Sequence, residues 1–299
     1  MSKITKSQHY VPRFILKHFV ENNEQIWVFD KQKNEKFKTN IKNISAENRF
    51  YDFSIQGANM SLEQYLSHIE TKTSKLIKKI INDESLVNIN DEEKIIISRF
   101  IALQFTRVKQ WRDMYKNAYE SFGAVIKKKA FNPENIRGYK ELTDEDIKIH
   151  HIYTILNAEE DLASHFLNKI WILQKTTKNN PFWISDNPIS LQNMNNFGYH
   201  GSIGLAVKGI EISFPLTKRL SLWLLCPSHK EKIDILYLSN KLVDGNPIPL
   251  RPENVVNHNS LQVIYATRFI FSSNEDFSLA EAMIKSHSSL REGPKMKVW

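Results

Sequence analysis

The chain has 299 residues, 41% of them hydrophobic and 25% charged. A chain of this length and composition buries a sizeable core without staples, as one large domain or two small ones. Its single cysteine, Cys226, excludes an intramolecular disulfide and a thiolate metal cluster. No apolar run reaches the roughly 18 residues of a membrane span, and Met1–Ser7 is polar. The chain therefore reads as cytoplasmic, with no membrane contact and no disulfide-linked partner. Lys plus Arg is 41 against 33 for Asp plus Glu, a net +8 with a pI near 9.3. Such an excess suits an anionic partner such as nucleic acid, and it arises equally from a Lys- and Asn-rich genome.

In chain order, Gln8-His9-Tyr10-Val11 is pushed to extended geometry ahead of Pro12, which suits the first turn of a helix running to about Val20. His9 and Arg13 then stand at that helix start, where free N–H groups favour an anion. The plainer reading is a packing helix whose Arg13 pairs with an acid, and it carries more weight. Gln25–Asp30 and Glu35–Thr39 form a β-hairpin across Lys31–Asn34. Ile44–Tyr51 reads as a turn of helix and an extended piece, with Arg49-Phe50-Tyr51 packing around one arginine. Ser61 and Gln64 spell a capping box for a helix over Leu62–Asn82. Its stripe is Leu66, Ile69, Thr73, Leu76 and Ile80. Glu63 and Glu70, seven apart, flank that stripe on one face, as metal ligands, a general base or partners for arginines.

A long helix, capped by Asn90 or Asp91, is predicted to run to about Lys129. Arg107 falls in its apolar stripe and must be paired there, with Glu70, Glu63, Asp186 or a substrate phosphate. Eight basic residues and two acids (Asp113, Glu120) lie between Arg99 and Lys129. Such a basic face is solvated or forms a nucleic-acid rim. Phe131–Glu141 reads as a loop. Thr143 with Asp146 restarts helix to about Lys169, with a break near Asn157. His150, His151 and His165 lack the spacing of metal ligands. Next, Ile170–Thr176, Phe182–Ile184, Gly209–Phe214 and Leu220–Cys226 read as one antiparallel sheet. Ser185-Asp186-Asn187-Pro188 is a braced turn that sets a carboxylate at a strand end. Gly198–Gly204 reads as a loop, Pro247–Pro252 as a linker, Glu253–Ala266 as helix, Arg268–Ser272 as strand and Phe277–Leu290 as helix.

The opening, Arg49-Phe50-Tyr51, the Glu63/Glu70 helix, Gln104 with Arg107, and Ser185–Pro188 together resemble the prokaryotic domain-of-unknown-function 4238 family. Pro215-Leu216 and Asn257 are weaker echoes. The resemblance spans roughly residues 8 to 272 and implies no catalytic residues.

The fold class is α+β: an N-terminal β-hairpin and long-helix region packed against a C-terminal antiparallel sheet with flanking helices. The parts are 1–60, 61–169 and 170–299, read as one integrated domain. The function drawn from the residues is a phosphodiester-acting, nuclease-like enzyme of phage or plasmid defence. His9 would be general acid or base, and Glu70 and Asp186 the carboxylates. Gln8, Arg13, Arg107 and Asn187 would hold the substrate, with Mg²⁺ or Mn²⁺ on Glu63, Glu70 or Asp186. No nuclease signature accompanies them. The alternative is a non-catalytic nucleic-acid or protein-binding module using the basic Arg99–Lys129 face, and a third reading makes the polar residues a structural network. Serine hydrolysis and nucleotide-fold chemistry lack their Gly-x-Ser-x-Gly elbow and glycine fingerprint. The enzyme reading requires His9, Arg13, Glu70, Arg107 and Asp186 in one cleft; the structural reading requires that they meet sealed from solvent.

Overall fold

The computed structural model describes residues 7–20, 24–55, 57–128, 142–198, 201–239 and 242–294. The expected loop Phe131–Glu141 lies outside them.

The opening is β1 (Ser7–His9), then α1 (Arg13–Leu16), which tightens into a 3₁₀ turn over Lys17–Phe19. The expected helix to Val20 is thus shorter. The hairpin β2 (Gln25–Asp30) and β3 (Glu35–Asn40) pairs in register from Gln25↔Asn40 to Asp30↔Glu35. A 3₁₀ turn over Ile41–Asn43 leads to β4 (Ala46–Asn48), which pairs antiparallel with β1. β5 (Asp52–Ile55) and β6 (Ala58–Ser61) form a small ribbon.

The helical layer follows: α2 (Glu63–Asp83), α3 (Asp91–Thr106), α4 (Lys109–Lys128), α5 (Asp144–Asp161) and α6 (Ala163–Leu167). Two expectations fail here. Ser61 is not the N-cap of α2, which starts one residue later behind Leu62; its Oγ accepts from the Gln8 side chain at 3.3 Å and from the Glu63 N–H at 3.4 Å. The long helix is two helices, broken at Arg107-Val108. A break strands carbonyls that must find donors. The Phe105 carbonyl accepts from Trp111 Nε1 at 2.6 Å, the Thr106 carbonyl meets His151 Nε2 at 2.8 Å, and the Arg107 carbonyl accepts from Tyr51 Oη at 3.4 Å. The capping boxes at Asn90/Glu93 and Thr143/Asp146 are both present, and the break after α5 falls at Leu162, not Asn157.

The remaining elements are β7 (Ile170–Lys175), β8 (Ile184–Ser185), β9 (Ser190–Asn193), β10 (Ile210–Pro215), β11 (Leu220–Leu225), α7 (Lys230–Leu238), β12 (Ile248–Pro249), α8 (Pro252–Tyr265), β13 (Phe269–Ser272) and α9 (Ser278–Ser286). They divide between two sheets, not one. β12-β7-β11-β10-β9 is antiparallel except for β12, which runs parallel to β7 from within the expected linker. β3-β2-β13-β8 joins the N-terminal hairpin to strands from the other end of the chain.

Period-two alternation on β2 covers both faces of that second sheet. Ile26 and Val28 enter the main core with α2, α3 and the larger sheet, while Phe29 packs with Trp183, Ile270 and Phe277 beneath α8 and α9. The helical layer lies on the face of the larger sheet that carries Leu173, Ile212, Phe214 and Leu222. Among the described residues no helix is long and apolar enough to cross a membrane.

Candidate functional site

The opening motif anchors a buried polar network. Gln8 is fully buried. Its Nε2 donates to Asp52 Oδ1 at 2.6 Å, and its Oε1 accepts from the Tyr51 N–H at 2.5 Å. Arg107, 2% exposed, spends all three guanidinium nitrogens: Nε on Tyr51 Oη (3.0 Å), Nη1 on Glu70 Oε1 (2.7 Å) and Nη2 on the His9 carbonyl (2.7 Å). Of its four candidate partners, Glu70 is the one the fold supplies. Burial pushes the Tyr51 phenol up to about 12, against the pull of Arg107. A planar fork with fixed donors suits these three acceptors, which a lysine could not serve together.

His9 is half-buried and held below the usual histidine value, first by burial and then by the charge of Arg13; the Ile41 and Lys42 backbone and Glu70 act the other way. Its Nε2 is buried without a hydrogen-bond partner. Arg13 is partly exposed and pairs with Glu24 at 3.3 Å, the plainer of its two readings. Glu63 is raised above the usual carboxylate value by burial, with Arg107 opposing and Glu70 and Asp52 adding to it.

Asp186 stands apart. Its two oxygens accept from the N–H groups of Thr267, Arg268 and Phe269 at 2.7–2.9 Å, tying the β8 turn to the start of β13. Burial raises its carboxyl to about 6, with those three N–H groups and Lys31 pulling it back. It shares no hydrogen bond or ion pair with His9, Glu70 or Arg107. Neighbouring Asn187 points its Nδ2 at Gln110 Oε1 and at the Tyr265 carbonyl (3.1 Å). So His9, Glu70, Arg107 and Gln8 meet, largely sealed, with Glu63 and Arg13 beside them, while Asp186 and Asn187 brace a second place. Among the described residues no three His, Cys, Asp or Glu side chains gather as a metal site, so Glu63, Glu70 and Asp186 do not form one.

Part of the basic stretch is also spent, and the side chains at 127–129 lie outside the described residues. Beyond Arg107, Lys109 pairs with Asp113 (2.7 Å), Lys116 with Asp144 (3.2 Å), and Arg112 lies 3.9 Å above the Phe50 ring while donating to its carbonyl.

Two open cavities border these networks. One of about 490 Å³ sits over Asp52 and Ser61, the partners of Gln8, and adds Arg49, Asn59, Glu145 and Lys148 to an apolar wall of Phe53 and Met60. Arg49 adopts φ +54, a left-handed conformation uncommon outside glycine. Reading Arg49-Phe50-Tyr51 as packing around one arginine missed that Arg49 faces out. Lys148 and Glu145 had no signal, being ordinary helix-surface residues. The second cavity, of about 560 Å³ and mostly apolar, contains Asn187 and Gln110.

A family model described as Protein of unknown function (DUF4238) matches residues 7–276. The chain belongs to that family. No curated protein and no solved structure matches it.

Proposed function

We propose that this member of the DUF4238 family is a nucleic-acid-binding module that takes phosphate groups in the Arg49 pocket over the opening motif. Arg49 carries the reading. Its side chain is exposed at the pocket and has no carboxylate within ion-pair distance among the described residues. A non-glycine residue with φ near +54 costs on the order of 1 kcal/mol, and such strain persists where the surroundings hold it, often at binding sites. The holding structure is the motif itself: Gln8 clamps Tyr51 and Asp52, the residues that follow. Lys148 adds a second cation, shared with Glu145 at 3.4 Å. Asn59 and Ser61 supply hydrogen-bonding groups, and Phe53 and Met60 an apolar wall on which a base can rest. The chain's net charge of +8 favours the encounter.

The test is fluorescence anisotropy with a labelled single-stranded RNA and its DNA counterpart, at low and physiological salt. Binding weakens as salt rises, as phosphate contacts dictate. Arg49→Ala lowers affinity about tenfold, the scale of one lost charge-assisted contact. Lys178→Ala, on an exposed loop, changes nothing. Equal affinity for wild type and Arg49→Ala defeats the reading.

Cleavage is the second reading, and one observation favours it: His9 is held neutral with an unpartnered Nε2, beside Arg13 and Glu70. Hydrolysis of the same strands, with or without Mg²⁺ or Mn²⁺, that disappears in His9→Ala and Glu70→Gln would install the nuclease in place of the binder.

A further inference from the structure

The second cavity lies between the first turns of α4 and the segment 203–207, across the molecule's sheet-to-helix junction. We infer that it is a binding site for a neutral small amphiphile, an apolar tail carrying one carboxamide-like head. Its volume of about 560 Å³ falls in the range of small-molecule pockets. Phe105, Trp111, Met114, Leu191, Leu205 and Val207 form the apolar wall, and no Asp, Glu, Lys or Arg contributes to the lining. Besides Tyr265, His165 is the one titratable side chain of the lining, and a charged ligand would give up its hydration there against mostly apolar groups.

The head group follows from what the polar lining has left unspent. The Tyr265 carbonyl fixes the orientation of Asn187, whose Nδ2 donates to it and to Gln110 Oε1. Among the described residues, Gln110 Nε2, a donor, and Asn187 Oδ1, an acceptor, make no hydrogen bond. A carboxamide offers the complementary acceptor and donor. Tyr265 Oη is already spent on the Leu191 carbonyl at 2.9 Å.

The site is also built. The helix break that follows Arg107 starts α4 at Lys109 and so delivers Gln110, Trp111 and Met114 to the wall. The far side is held where Lys169 Nζ donates to the Leu205 carbonyl at 2.7 Å. The helix break after Arg107 and, through Asn187, the Ser185–Pro188 turn thus meet at one cavity.

Nile red, a neutral lipophilic dye, reports occupancy by its fluorescence, with decanamide, decanoate and decylamine as competitors. The dye binds the full chain, and decanamide displaces it at a concentration at least tenfold below either charged analogue. Ala206→Trp, on the exposed rim, abolishes dye binding with an unchanged melting curve. Should that variant not fold, Met114→Trp reads the same occlusion from the α4 side. Gln110→Met keeps the dye but erases the preference for decanamide. The inference is overturned if the wild type does not bind dye, if dye binding survives in the folded filled variants, or if decanoate competes as well as decanamide. Self-association lost in Ala206→Trp, with no dye uptake, would assign the surface to a second copy of the chain and overturn it equally.

Discussion

Arg107 has no water to fall back on, and each of its three donors is matched to a group that would itself be stranded by its loss. Replacing it by Ala leaves the Glu70 carboxylate, the Tyr51 hydroxyl and the His9 carbonyl without their cation. Breaking a buried pair in this way costs about 3–5 kcal/mol. For a chain of this size that lowers Tm by roughly 6–15 °C, measured by circular dichroism. Arg107→Lys recovers only part of it, since one ammonium cannot span three directions; a loss under 2 °C for Arg107→Ala would mean the network is not structural. Buried histidines act through pH. Burial holds His151 at about 3, with Arg112 adding to it, and His258 at about 4. Both folded values lie below the unfolded value of about 6.5, so between these limits the unfolded chain binds more protons. Their contribution is complete above about pH 6.5 and is lost as pH falls toward 4. Asp186 runs the other way: raised to about 6, it takes up its proton in the folded state first and returns some stability over the same window. Glu63, also raised, acts with Asp186, but His9 and His18 are lowered alongside His151 and His258, so the histidines outnumber the two acids and the urea midpoint falls on acidification from pH 6.5 to 4.5. His258→Gln, which keeps a partner for Ser213 Oγ at 2.9 Å, flattens that slope. At this scale the sequence was informative about need and silent about supply. That Arg107 required a carboxylate followed from its place in an apolar stripe; that Glu70 would answer while Asp186 turned to three backbone N–H groups depended on where distant strands lie.

Elements were legible where their signals are local. Asn90 with Glu93 and Thr143 with Asp146 cap helices because each box closes within three residues. Ser61 with Gln64 spells the same box and fails, because α2 starts behind Leu62 and the Ser61 hydroxyl is shared with Gln8, 53 residues away. The break at Arg107-Val108 was invisible for a related reason. Apolar periodicity continues through it, and two of the stranded carbonyls are satisfied from Tyr51 and His151, far along the chain. The third is local, Trp111 Nε1 on the Phe105 carbonyl at 2.6 Å. Trp111→Phe keeps most of the packing against Phe105 and removes that donor, so it costs about 1–2 kcal/mol, the penalty of one unmet buried acceptor. Urea unfolding of the two proteins measures it, and a variant as stable as wild type would show that the break is held by Tyr51 and His151 alone. Because Trp111 also lines the apolar cavity, the same variant tests whether the break positions that wall: loosened, it weakens Nile red binding as well as stability.

At the scale of the whole molecule, the strand order binds the chain's two ends together. β13 is an inner strand of its sheet, flanked by β2 over four residue pairs and by β8 over two. Period-two patterning announced each of these strands but not their partners, since any alternating strand can complete any sheet edge. The consequence is physical coupling. Without residues 1–60, β13 would present four unpaired residues along an edge, and the main core would lose Ile15, Phe19, Ile26, Val28 and Tyr51, all fully buried. At roughly 1.5–3 kcal/mol for each large buried side chain, the five together lose about 7.5–15 kcal/mol, as much as the 5–15 kcal/mol by which a folded protein is stable. A fragment spanning 61–299 therefore shows no cooperative thermal transition, whereas the full chain unfolds in one step. Tryptophan fluorescence and far-UV circular dichroism report on that step together: Trp27 and Trp183 sit by the second sheet, Trp171 and Trp223 on the larger one. Coincident curves mean one unit. Two separated transitions, or a cooperative melt of the fragment, would mean that the hairpin is an appendage and that the two cavities belong to energetically independent parts.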